Sequence, residues 1–130
     1  MVLADDHTET AELLRKLLLP HFDVVALVKD GRALVDAVAR LSPDVIVADI
    51  SMPILDGIDA AALIRRHDPQ ARVVFVTVHR EWILVERGLA AGALGYVLKD
   101  AAGDELVPAI RAVLNGRQYI SRELEGLKGA

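Results

Sequence analysis

The sequence has no cysteine, which excludes disulfides, thiolate zinc sites and thiol catalysis and suits a reducing compartment. It also lacks any excess of positive charge: 15 Lys and Arg against 19 Asp and Glu leave a net charge of −4, with the signs mixed along the chain. Neutralising phosphates needs clustered basic residues, so the chain by itself is not expected to bind DNA. Long apolar runs are missing too. The longest, Leu89 to Leu98, is interrupted by Gly92 and Gly95 and falls far short of the roughly 20 residues of a membrane span. Met1 is followed directly by a strand-like run, so no targeting segment is expected and the reading is a soluble cytoplasmic domain. What is there is 130 residues with 53% hydrophobic content, enough for one globular domain with a full core and too few for two.

Short apolar runs alternate with helical patterns along the whole chain. Val2-Leu3-Ala4 stops at Asp5-Asp6, and Thr8 can then cap a helix carrying Ala11, Leu14 and Leu18 on one face as far as Pro20. Phe22 to Val28 reads as a second strand, followed by a helix with Leu34, Val38 and Leu41 that closes before Ser42-Pro43. Val45 to Asp49 is an apolar run that ends in one carboxylate and is followed by Ile50-Ser51-Met52-Pro53, the pattern of a strand buried on both faces. Asp56-Gly57 opens a third helix with Ala61 and Ile64 inward and Arg65-Arg66 outward. Arg72 to Val78 is a fourth strand with Thr77 at its carboxyl end, and Trp82, Val85 and Leu89 mark a helix over about 81–91. Tyr96-Val97-Leu98 is a fifth strand that stops at Lys99-Asp100.

The last helix shows Leu106, Ile110 and Val113 on one side and closes at Asn115-Gly116. Pro108 removes a backbone donor at a cost of ~3 kcal/mol, so this helix is expected either to start late, with Pro108 in its first turn, or to kink there. Beyond Gly116 the charged, glycine-containing residues 117–130 read as the start of a linker outside the core.

Five strand–helix alternations predict an α/β domain, a doubly wound five-stranded parallel sheet with helices on both faces. Ligands in such sheets bind at the carboxyl ends of the strands, where Asp5, Asp6, Asp49, Thr77 and Lys99 converge. Three carboxylates at one edge repel one another unless a cation neutralises them, and a hard ion that accepts a few carboxylates plus phosphate oxygens, Mg2+, fits best. Asp49 is then placed as a nucleophile toward phosphorus. Lys99 and Mg2+ supply charge, and Thr77 supplies a hydrogen bond for the transferred group.

Asp5-Asp6, Asp49 with Met52-Pro53 and Asp56-Gly57, Thr77, and Gly95-Tyr96-Val97-Leu98-Lys99 together resemble the receiver domain of bacterial two-component response regulators. Ala4-Asp5-Asp6-His7, the stretch Gly92 to Asp100 and Ala109-Ile110-Arg111-Ala112-Val113 are similar to its NarL/FixJ (LuxR-type) subfamily. The resemblance implies a flavodoxin-like (CheY-like) fold with strand order 2-1-3-4-5, a receiver over 1–116 and an output domain absent after the tail. It implies that Asp49 accepts a phosphoryl group from a sensor histidine kinase, and that Asp5, Asp6, Asp49 and the Ser51 backbone carbonyl surround Mg2+. It further implies that Thr77 and Tyr96 move inward on phosphorylation, that Lys99 binds the phosphoryl group, and that a DNA-binding helix-turn-helix domain beyond this chain carries the output; separately, an apolar surplus on the last helix would suit a homodimer face. Such a domain catalyses only its own phosphorylation and dephosphorylation.

The chain departs from the wider family in three respects. Asp100 rather than proline follows Lys99, so a trans bond is expected there. Val78 follows Thr77, where it is expected to narrow access to the phosphoryl group. No helix-turn-helix is present, which leaves open a stand-alone receiver acting through protein–protein contacts. A phosphohydrolase of the haloacid-dehalogenase type also uses Asp, Lys, Thr and Mg2+, but it places a second Asp two residues after the nucleophile, where Ser51 stands here. His7 and His79 flank the site without metal-ligand spacing and read as rim residues.

Overall fold

The computed structural model describes residues 1–127. The chain alternates β1 (Val2–Ala4), α1 (Thr8–Leu18), β2 (Ala26–Val28), α2 (Gly31–Leu41), β3 (Ile46–Ala48), α3 (Gly57–His67), β4 (Val73–Thr77), α4 (Trp82–Ala90), β5 (Gly95–Leu98) and α5 (Ala102–Leu114), then adds β6 (Tyr119–Ile120) and α6 (Arg122–Glu125). The strands form one parallel sheet in the order β2-β1-β3-β4-β5-β6. The expected order 2-1-3-4-5 is therefore present, with a sixth strand added beyond β5.

Both faces of the sheet are covered, which is why its central strands are apolar at every position rather than at alternate ones. Val2, Ala4, Ile46, Ala48, Phe75 and Tyr96 pack toward the buried residues of α2, α3 and α4. Leu3, Val47, Val74, Val76 and Val97 point the other way, toward Leu14 and Leu18 of α1 and Leu106, Ile110 and Val113 of α5. Asp30 and Asp56 cap α2 and α3 by accepting from the amides of Ala33 and Asp59. Thr8 begins α1 but does not cap it: His7 occupies the N-cap, without a side-chain bond.

Three further expectations are corrected. Residues 117–127 do not leave the core at Gly116 as a linker, because Ile120, Ser121 and Leu124 are buried and Tyr119–Ile120 pairs with β5; the last three residues of the expected tail, 128–130, lie outside the described residues. The charged residues of that segment mislead, since they alternate with the buried ones. The second strand is shorter than Phe22 to Val28, and Phe22 and Val24 instead pack as connecting chain against the core between α1 and α5. Arg65 is turned inward enough to donate to the Ala71 carbonyl at 3.0 Å. Of the two placements expected for Pro108, the late helix start does not occur: α5 starts at Ala102 and Pro108 lies well inside it. Pro108 is on the exposed side together with Asp104, whose carbonyl loses its donor, while the stripe through Leu106, Ala109, Ile110 and Val113 is fully buried. No peptide bond among the described residues is cis, as expected for Lys99–Asp100.

Candidate functional site

The carboxyl ends of β1, β3, β4 and β5 meet at one edge and carry the polar residues there. Asp5 follows β1 and is 1% exposed; Asp49 follows β3 and is 4% exposed; Thr77 ends β4 and is fully buried. Lys99 follows β5 and extends between the two acids, with Nζ 2.8 Å from Asp49 Oδ2 and 2.9 Å from Asp5 Oδ2. Burial alone would push the ammonium down, but hydrogen bonding and charge from Asp49 and Asp5 outweigh it and raise Lys99 above its ordinary value. The lysine is therefore held charged.

Backbone geometry holds both acids in place. Asp49 Oδ1 accepts from the Ile50 amide at 2.7 Å, and Asp5 Oδ1 accepts from the His7 amide at 2.9 Å. Two oxygens remain. Asp5 Oδ2 is buried with only the Lys99 ammonium at ion-pair distance, and Asp6 Oδ1 is buried with only the His7 ring beside it, Nδ1 at 3.1 Å. Buried carboxylate oxygens with so few partners are costly in a folded chain, and a hard cation would satisfy them. Oxygens of Asp5, Asp6 and Asp49 and a ring nitrogen of His7 all lie within 4.8 Å of one another, so this donor set fits Mg2+. His7, read from spacing as a rim residue, thus borders the acid cluster while remaining exposed. Ser51 lies on the open loop after Asp49, on one side of a shallow cleft shared with Asp6 and His7.

The loop after β4 contributes a residue whose part the sequence did not disclose. The His79 ring meets Ser51 Oγ at 2.6 Å, its amide donates to Thr77 Oγ1 at 3.3 Å, and its carbonyl accepts from the Tyr96 phenol at 3.0 Å. One residue therefore ties together the loop after Asp49, Thr77 and Tyr96. No spacing signal distinguishes it, because these contacts join three strands. Tyr96 is fully buried; burial first, then the charges of Glu81 and Asp49, push its phenol above the ordinary tyrosine value. Val78, expected to narrow access to the site, is 66% exposed.

A family model described as "Response regulator receiver domain" matches residues 1–111. The chain belongs to that family. The transcriptional regulatory protein DegU of Brevibacillus brevis is 35% identical over 122 residues, which make up 92% of this chain and 52% of that protein. A LuxR-family two-component response regulator from Aurantimonas sp. SI85-9A1 superposes with a TM-score of 0.92 at 34% identity, covering 96% of this chain and 91% of that one. The isolated receiver of RcsB from Salmonella enterica serovar Typhimurium, solved in the presence of the phosphomimetic BeF3−, superposes with a TM-score of 0.88 at 28% identity over 97% of this chain and 95% of that one. This receiver is thus of the LuxR/NarL type, a signalling domain, and family membership decides against the phosphohydrolase reading. It spans about half the length of DegU. Among the described residues no helix is long and apolar enough to cross a membrane.

Proposed function

We propose that Asp49 is the phosphoacceptor of this receiver and that a sensor histidine kinase is the donor. The carrying observation is the placement of Lys99 between the buried carboxylates of Asp5 and Asp49, with the Asp6 carboxylate beside them. A carboxylate oxygen of Asp49 attacks the phosphorus of a phosphohistidine; the new P–O bond forms as the P–N bond breaks, and the imidazole leaves with the bonding pair. Lys99 stays near the acceptor and neutralises charge that develops on the phosphoryl oxygens. Thr77, one strand away, offers its hydroxyl to the same oxygens, and Tyr96 responds through His79. Asp5, Asp6, Asp49 and the Ser51 carbonyl hold Mg2+, which when bound offsets the negative charge of acids and phosphate.

The acyl phosphate adds about two negative charges where Asp49 had one, and Lys99 and Thr77 favour the conformation that engages them. The full-length protein then controls transcription in the cytoplasm, with DNA contact and any homodimer resting on parts or surfaces beyond this site. Incubation with acetyl phosphate and Mg2+ is expected to give an adduct of about 80 Da, the mass of the phosphoryl group transferred, by intact mass spectrometry. Asp49→Asn should abolish it. An unmodified wild-type chain, or an adduct that persists in Asp49→Asn, rules the assignment out.

A further inference from the structure

Five polar or charged residues are buried among the described ones: Asp5, Asp49, Thr77, Glu105 and Ser121. Glu105 and Ser121 find their partners within the fold and dock the sixth strand. Ser121 Oγ accepts the Leu98 amide at 2.9 Å, and Glu105 Oε1 accepts from the Tyr119 hydroxyl at 3.1 Å and from the Arg122 amide at 3.3 Å. The other three belong to the acid site, where charge is unevenly served. Lys99 lies at ion-pair distance from Asp5 and Asp49, whereas Asp6 faces the His7 ring.

His7 Nδ1 stands 3.1 Å from Asp6 Oδ1 and 3.6 Å from Asp5 Oδ1. Neighbouring donors about 2.1 Å from an octahedral ion are about 3 Å apart, so the first of these spacings is already that of two ligands on one centre. Asp6 Oδ1 is closed to solvent while the His7 side chain is 69% exposed, so the ring covers the acid oxygen from outside and has room to turn. The same nitrogen lies within 4.8 Å of an oxygen from each of Asp5, Asp6 and Asp49. The other imidazole near the site, His79, is engaged with Ser51 Oγ.

We propose that His7, through Nδ1, is a fourth side-chain ligand of the cation held by Asp5, Asp6 and Asp49, and that it turns the site toward first-row transition cations that accept nitrogen, Fe2+ to Zn2+. The inference rests on the reading of that acid cluster as the receiver's cation site. Carboxylates and a backbone carbonyl are an all-oxygen set suited to Mg2+. A neutral imidazole is a donor that Mg2+ takes reluctantly and that the later first-row cations take well. In binding, Nδ1 offers its lone pair and the ring keeps its proton on Nε2. The cation that serves Asp49 is then chosen by His7 as well as by the acids.

Calorimetric titration of the full chain with CoCl2 and with MgCl2, paired with proton NMR of the Co2+ form, tests this. His7→Ala should weaken Co2+ binding about tenfold more than it weakens Mg2+ binding, since loss of a direct ligand costs at least what loss of an outer partner does. The variant keeps the His7 amide that Asp5 Oδ1 accepts, and the ring it removes is exposed, so the fold is not at stake. A paramagnetically shifted, exchangeable imidazole N–H proton should appear in wild type and in His79→Ala and vanish in His7→Ala. Failure of both cations to bind, or equal affinities in wild type and Asp6→Asn, overturns the acid-cluster reading and the His7 inference together. Binding in which His7→Ala changes Co2+ and Mg2+ affinities by the same factor, or a shifted N–H that survives in His7→Ala, overturns the His7 inference alone.

Discussion

A Cβ placed on Gly57 would lie 2.0 Å from the carbonyl oxygen of Asp49, and the Gly57 amide donates to the Ile50 carbonyl at 2.7 Å. The first residue of α3 is pressed against the backbone of Asp49, where no side chain fits. Gly57→Ala should therefore lower stability by about 1–3 kcal/mol even though alanine is the better helix former. Urea denaturation checks it, and a midpoint equal to wild type would mean that the helix entry has slack.

Lys99 and Tyr96 both have folded pKa values above their unfolded ones. A group raised in this way contributes stability that is complete below its unfolded pKa, about 10 for both, and is lost as pH climbs through the folded value. Stability should accordingly fall as pH rises above about 10. Lys99→Met and Tyr96→Phe should each flatten that fall in part, the slope that remains coming from the other of the two and from Tyr119, shifted upward by burial and by Glu105. Urea midpoints at about pH 9 and 11 decide it; wild-type slopes in both variants would contradict the assignment.

The clustered carboxylates of Asp5, Asp6 and Asp49 should make the site a stabilising Mg2+ receptor. Raising Mg2+ is expected to raise the wild-type Tm through linkage. Asp6→Asn removes one charge at contact range and should weaken binding at least about fivefold. Calorimetric titration of the two proteins would refute this by returning equal affinities.

Leu124 lies beyond the boundary that composition suggests for the domain, yet it is completely buried. Leu124→Ala should cost about 2–5 kcal/mol, as for a core leucine, with the chain still cooperative. A change within error of zero in urea denaturation would return residues 117–127 to the status of a linker.

The alternation of strands and helices, the burial of both sheet faces and the clustering of Asp5, Asp6, Asp49, Thr77 and Lys99 at one edge were all legible in the sequence. Each follows from local pattern: runs apolar at every position demand cover on both faces, and parallel connections put every strand's carboxyl end on the same side. Pro108 and the tail were not legible for the complementary reason. Whether a proline sits at a helix start or inside it depends on how soon the chain can turn after Lys99, and the tail's fate depends on an open edge of β5.

From the sequence alone, the chain's class, its strand order by resemblance and the residue types of its site were determined, because these depend on periodicity and on acids placed at strand ends. Only the tertiary structure decided that Lys99 lies between Asp5 and Asp49, that His79 joins Ser51, Thr77 and Tyr96, and that Ser121 and Glu105 dock a sixth strand. Those contacts join residues far apart in sequence, and no local spacing carries a record of which distant backbone a side chain will meet.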